Sequence, residues 1–370
     1  MKLIINISTF IYCLLLSSII FAQIAPKYSN EFLSIGVGAR ALGMGNSVTA
    51  SSSDITSVYW NPSRLNYISD KMEIGAMHSE YFAGIAKYDF IGIGLKIDEK
   101  STAGVSMIRF AVDDIPNTLN LFDNDGNIRY DRISSFSAGD YAFLFSYSRL
   151  MPVEGLNIGG NVKLIRRKAG DFASAWGFGF DVSGSYEYEN WKFGANIRDI
   201  TSTFNAWKFN QDELREVFEA TGNTVPENGL ELTLPRIILG AGYFWNFYKK
   251  FSLYSEINLI NTTDGKRNAP IKTNLISIDP ALGIEIGYNN LVFLRCGVNN
   301  IQQIPNVDKE KELSLQPNIG VGINYLGFKL DYAFSNISNS GIGLYSHVFS
   351  LSYSFNPPKK ANISTPSYSN

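Results

Sequence analysis

Segments in which apolar and polar side chains alternate residue by residue recur along this chain, joined alternately by very short and very long connections. Phe349-Ser350-Leu351-Ser352-Tyr353-Ser354-Phe355 is the clearest, with one greasy and one hydroxyl-lined face. In a closed transmembrane barrel the greasy face meets lipid and the wet face lines the interior. Alternation of this kind recurs near 71–79, 84–97, 100–112, 137–149, 154–168, 174–188, 190–200, 235–246, 250–261, 278–288, 291–301, 313–325, 327–336 and 345–356, which predicts about fourteen strands. Short turns fall at Asp98-Glu99-Lys100, Met151-Pro152-Val153, Glu189-Asn190, Phe247-Tyr248-Lys249, Asn289-Asn290 and Leu326-Gly327 and are assigned to the periplasmic side. The opposite set includes the long segments 113–136, 201–234, 262–277, 302–312 and 337–344, with 80–83 and 169–173 as short exceptions.

Face parity tests this reading, because residues paired across a hairpin must point the same way. A two-residue Leu326-Gly327 turn sets Tyr325 against Phe328 and Ile323 against Leu330 on the lipid side, with Asn324 facing Lys329 inside. The Glu189-Asn190 turn sets Tyr188 against Trp191 and Tyr186 against Phe193. A three-residue connection at Asn289-Asn290-Leu291 pairs Tyr288 with Val292, Ile286 with Leu294 and Ile284 with Cys296, so that Glu285 opposes Arg295 in the lumen. One left-handed asparagine is expected in that turn, and the charge pair is expected to be partly hydrated and worth no more than about 1 kcal/mol.

Composition agrees: 45% of residues are hydrophobic and 14% aromatic, yet mean hydropathy is only −0.04, because half of each strand is polar. After the N-terminus no segment approaches the roughly 18 unbroken apolar residues of a helical span. Ile4 to Phe21, behind Lys2 and ending in small residues, reads as a secretory signal cut after Ala22 (residues 1–22) rather than an anchor helix. Cys13 lies in that run, leaving Cys296 as the one cysteine beyond it, lipid-facing and without a disulfide framework. The net charge of −2 with scattered Lys and Arg excludes nucleic acid as a partner. The remaining divisions are an N-terminal lumen segment (23–70), a barrel (71–356) and a polar tail (357–370), which is expected to be dispensable.

Within 23–70 the glycines of Gly36-Val37-Gly38 and Gly43-Met44-Gly45 do not form a phosphate loop, since no Gly-Lys-Ser/Thr closes them. They suit close packing inside a narrow lumen, with Pro62 halting a short helix or turn. Asp123-Asn124-Asp125-Gly126-Asn127 has the wrong spacing for a calcium loop and reads as a tight Asx/Gly turn. His78 and His347 lack a nucleophile-elbow context, so neither an enzyme, a cofactor nor a metal site is expected. In the long connection 201–234, Phe204, Trp207 and Phe209 precede Leu214, Val217 and Phe218 at helical spacing. An amphipathic helix over the mouth would either pack on neighbouring loops or meet a partner.

The run Phe32 to Leu65, with Gly43, Gly45, Trp60, Asn61, Pro62 and Leu65, resembles the N-terminal signature of the PorV/PorQ family, relatives of FadL-type barrels. Tyr81-Phe82-Ala83-Gly84 and Asp171-Phe172-Ala173 fit the same family, whereas Ser63-Arg64 departs from its more frequent Ala-Gly. The resemblance implies a fourteen-stranded outer-membrane barrel whose N-terminal segment fills the lumen. It also implies a role in type IX protein secretion, with secretion-system subunits or cargo C-terminal signal domains as partners. The competing expectation is a FadL-like transporter of small hydrophobic molecules, which requires an apolar pocket inside the barrel. The inward positions Lys163, Asp181, Lys192, Arg198, Glu256 and Lys329 weigh against a greasy tunnel at mid-barrel.

Overall fold

The computed structural model describes residues 29–68, 70–81, 84–119, 121, 123, 125–220, 222–224, 227–246, 250–305, 311–336 and 345–355. The expected signal segment and the polar tail lie outside these residues. Strands follow in the order β1 (Met72–Tyr81), β2 (Ala86–Lys96), β3 (Ser101–Asn117), β4 (Ser134–Leu150), β5 (Leu156–Ala169), β6 (Ala173–Tyr188), β7 (Trp191–Arg198), β8 (Thr203–Phe209), β9 (Gly229–Thr233), β10 (Arg236–Asn246), β11 (Phe251–Thr262), β12 (Ile271–Lys272), β13 (Ser277–Tyr288), β14 (Val292–Pro305), β15 (Lys311–Tyr325), β16 (Phe328–Asn336) and β17 (Tyr345–Phe355). Of these 17, β8, β9 and β12 are side pieces on the outer rim, and the other 14 pair antiparallel with their neighbours until β17 meets β1 and closes the ring. Closure leaves no sheet edge for lipid to satisfy.

The registers obey the face rule. Tyr325 pairs with Phe328 and Asn324 with Lys329 across a turn in which Leu326 and Gly327 both have positive φ. Tyr188 pairs with Trp191 and Tyr186 with Phe193. Glu285 pairs with Arg295 and Ile284 with Cys296, with φ 53° at both Asn289 and Asn290, so two asparagines rather than one supply the left-handed turn. Cys296 is exposed on the lipid face.

Strands outrun the sequence pattern at the outer end, and bulges explain why. In β3 the register slips between Val112 and Ile115, where Asp114 has φ 56°, so alternation stops at Val112 while pairing continues to Asn117. In β14 a similar slip between Asn299 and Gln302 ends the readable pattern although the strand runs on to Pro305. The segment 201–234 is therefore not a plain loop. After a break at Asp199–Ser202, both end residues with positive φ, β8 takes over the edge of β6 that β7 leaves, and β9 pairs back on β8. Between them the helix Gln211–Ala220 forms as the apolar spacing predicts.

The hydrophobic core lies inside the ring. Phe32, Val37, Leu42, Met44, Val48, Ile55, Val58, Trp60, Leu65 and Ile68 pack against inward side chains of the wall, among them Tyr88, Phe90, Ile108, Leu144 and Ile165. Residues 29–68 bond to strands on all sides of the ring: Ala39 N–H donates to Ser350 of β17, Ala50 N–H to Glu256 of β11 and Ser63 N–H to Ser183 of β6. They therefore fold within the bore.

Candidate functional site: the filled lumen and the outer rim

Two features shape the inner segment, close backbone approach and charge pairing. Gly43 sits against Gly320, where an added Cβ would come 3.0 Å from the wall backbone, and Gly45 against Val298, where it would come within 2.6 Å of the amide nitrogen. Gly45 also has φ 60°, so a side chain there would be both strained and obstructed. The seats opposite are inward glycines of the strands, and a Cβ on Gly297 would overlap the backbone of Met44 and Gly45. In the sequence this girdle of small wall residues shows as glycines at inward strand positions, a pattern in the strands and not in the inner segment's own motifs. Gly297→Leu is expected to lift the segment while leaving the barrel heat-modifiable, read as new protease cleavage within 29–68; unchanged protection would mean the seat is not tight.

Asn61 organises the turn that follows. Its Nδ2 donates to the Thr49 carbonyl at 2.8 Å and its Oδ1 accepts from Ser63 Oγ and N–H, capping the 3-10 turn Pro62–Tyr67 with Pro62 at its first position. Trp60 Nε1 donates to the Val37 carbonyl at 2.7 Å and its ring lies on Gly36, while Leu65 fills the space left by Gly94 and Gly104. Arg64, where the family more often has a small residue, is fully buried. Its Nη1 donates to Glu187 at 2.7 Å, its Nε to the Ser52 carbonyl, and its guanidinium stacks 3.9 Å from the Tyr67 ring.

The expected, partly hydrated pair of Glu285 and Arg295 is present and belongs to a larger network. Arg40 of the inner segment donates to both Glu285 oxygens at 2.9 and 3.0 Å, and Arg295 bridges Glu285 and Asp331, each at 2.6 Å. Arg295 is buried at 4% exposure and Arg40, Glu285 and Asp331 are partly buried, and the four groups form a network tying the segment to β13, β14 and β16. Lys163 pairs with Asp181 and with Asp199 in a second buried cluster at the break after β7. Glu73, fully buried, accepts from Ile55 N–H and pairs with Lys329.

On the rim the four aromatic candidates do not share one surface. Phe204 is 40% exposed on the outward face of β8, beside Phe178. Trp207 and Phe209 lie on the opposite, inward face with Asn205, which donates to Asn30 of the inner segment. Their rings stack at 6.2 Å, the Trp207 indole donates to Glu231 at 2.6 Å, and Arg167 covers it at 5.0 Å. Phe218 is half-buried on the helix. The expectation of one aromatic loop patch is thus divided by strand alternation, which a loop assignment could not register.

Asp123 closes its loop as an Asx turn, its Oδ1 accepting from Asp125 and Asn127 N–H. His78 and His347 face outward at the rim, His78 beside Asp89 and His347 beside Tyr332. Among the described residues no group of acidic, Cys and His side chains is placed to hold a metal ion.

The profile of the type IX secretion system protein PorV matches residues 24–216, more than half of the chain. The chain belongs to the PorV family. It is an outer-membrane β-barrel protein. Among solved structures, the CymD monoaromatic hydrocarbon channel is similar at TM-score 0.52 with 14% identity, over 87% of this chain and 98% of that one. The Pseudomonas putida toluene transporter TodX is similar at TM-score 0.50 with 13% identity, over 86% and 99%. A Pseudomonas aeruginosa FadL homologue scores 0.48 at 11% identity over 86% and 98%. The likenesses to CymD and TodX show a shared barrel fold. A comparison with curated protein sequences returns no match.

Proposed function

We propose that this barrel serves type IX secretion as a binding component, receiving cargo C-terminal signal domains or secretion-system subunits at its outer rim. The observation that carries the reading is the bore itself. Residues 29–68 fill it and are bonded to strands all round the ring, while the wall of β3–β6, β8 and β9 extends outward and presents Trp207, Phe209, Arg167 and Glu231 on its inner face. Aromatic and arginine side chains dominate protein-binding surfaces. A transporter of small hydrophobic molecules would need a continuous apolar path; in the cavity at the outer mouth the apolar side chains Ile35, Leu42, Ile260 and Ala269 are interrupted by amides and ion pairs.

Purified barrel should bind a purified cargo signal domain, and Trp207→Ser with Phe209→Ser should weaken that binding about tenfold or more while the barrel stays heat-modifiable. Equal binding by the double variant removes the β8 surface. No binding by the wild-type barrel, together with toluene uptake in barrel-loaded liposomes, would replace the reading with the transporter.

A further inference from the structure

The bulge in β14 does more than end a readable pattern. In a regular strand neighbouring residues point to opposite faces, yet Asn299, Asn300 and Gln302 all line one cavity at the outer mouth of the bore. The slip between Asn299 and Gln302, with Asn300 at φ 50°, re-aims the extra residue inward. Gln316 and Asn318 of β15 and Asn46 of the inner segment complete a lining unusually rich in side-chain amides around about 380 Å³.

These amides hold each other in place while keeping hydrogen-bonding capacity. Asn318 donates to Asn299 at 2.9 Å, Gln316 to Ser335 at 3.0 Å and Gln302 to Asn300, and each amide carries both a donor and an acceptor group. Asn46 Oδ1 is buried without a partner. Four charged side chains line the cavity, Arg236 and Arg267 against Glu31 and Asp279, so their formal charges cancel. Burial would raise the Glu31 carboxyl, but the guanidinium groups of Arg236 and Arg267 hold it below the usual carboxylate range, and it stays an anion shared between them. Among the described lining residues none is aromatic, so a ligand that seeks a ring face finds none.

We infer that this cavity binds an extended, uncharged stretch of polypeptide through its backbone. Each peptide unit brings one donor and one acceptor, and a lining in which amides alternate with Ile35, Leu42, Ile260 and Ala269 offers partners for both together with apolar contact for the side chains between them. The inference rests on the reading of the barrel as a surface that receives secreted protein, and deepens it by locating where a segment of that protein enters.

The test uses the full-length barrel carrying Cys296→Ser and Asn300→Cys, folded first and then labelled at the introduced thiol with a maleimide-linked polyethylene glycol. The probe is the purified C-terminal signal domain of a protein secreted by the same cell. Labelling should lower the affinity of this variant at least about tenfold relative to the same variant unlabelled, because the attached polymer occupies the cavity, and bound signal domain should slow the labelling. Undiminished binding after labelling overturns the cavity while leaving the proposed function intact. Protection of the thiol by a neutral dextran oligosaccharide and not by the signal domain also overturns it. Absence of binding by the wild-type barrel overturns the proposed function itself.

Discussion

A chain lacking residues 345–356 is expected to fail to assemble in the outer membrane. β17 pairs with β1 from Met72↔Phe355 to Glu80↔His347 and with β16 from Phe328↔Tyr353 to Asn336↔Tyr345, so its loss opens two edges at once. Each backbone group left unpaired in hydrocarbon costs several kcal/mol, and no side chain on β1 or β16 can reach along the edge to replace the ladder. Outer-membrane fractionation and the heat-dependent shift of a folded barrel on gels would read the outcome. Truncation after Asn356 should assemble normally. A folded barrel without 345–356 would show that the ring closes elsewhere.

Glu285→Gln should be the most damaging single substitution in the lumen. Glu285 is shared by Arg40 and Arg295, so its neutralisation leaves Arg40 without its ion-pair partner and Arg295 with Asp331 alone. Breaking a buried pair on one side costs about 3–5 kcal/mol, most of it the price of the stranded charge. The inner segment should loosen before the wall does, seen as protease cleavage within 29–68 of a barrel that still shifts on heating. Arg40→Leu with Glu285→Leu should recover part of the loss, because Arg295 keeps Asp331. Equal damage by the single and double variants would mean that shape rather than charge holds the segment.

The wall was legible in the sequence where strands are regular. Period-two alternation and the rule that paired residues share a face located the fourteen wall strands and the registers at Glu285↔Arg295 and Asn324↔Lys329. It failed where the backbone departs from that period. The bulges at Asp114 and Asn300 and the break at Asp199 shift parity, so β3 and β14 were read short and β8 was read as loop. That single misreading placed Trp207, Phe209 and Phe204 on one surface when a strand divides them. The interior was legible only as composition: glycines that pack closely, and charges that point inward. Which charge meets which was hidden by distance along the chain, since Arg40 and Glu285 lie 245 residues apart. Arg64 was missed for a related reason. A buried arginine at a position that resembles a small-residue site reveals itself only when Glu187 and the Tyr67 ring are brought to it.

Chemical crosslinking in intact outer membranes would show whether the barrel engages the secretion machinery with its bore filled. Purification of the tagged barrel after crosslinking should recover type IX secretion subunits or cargo bearing a C-terminal signal domain, and the inner segment should remain protected from protease. Recovery of neither, with the same barrel admitting small hydrophobic molecules into liposomes, would make it a transporter and not a secretion component.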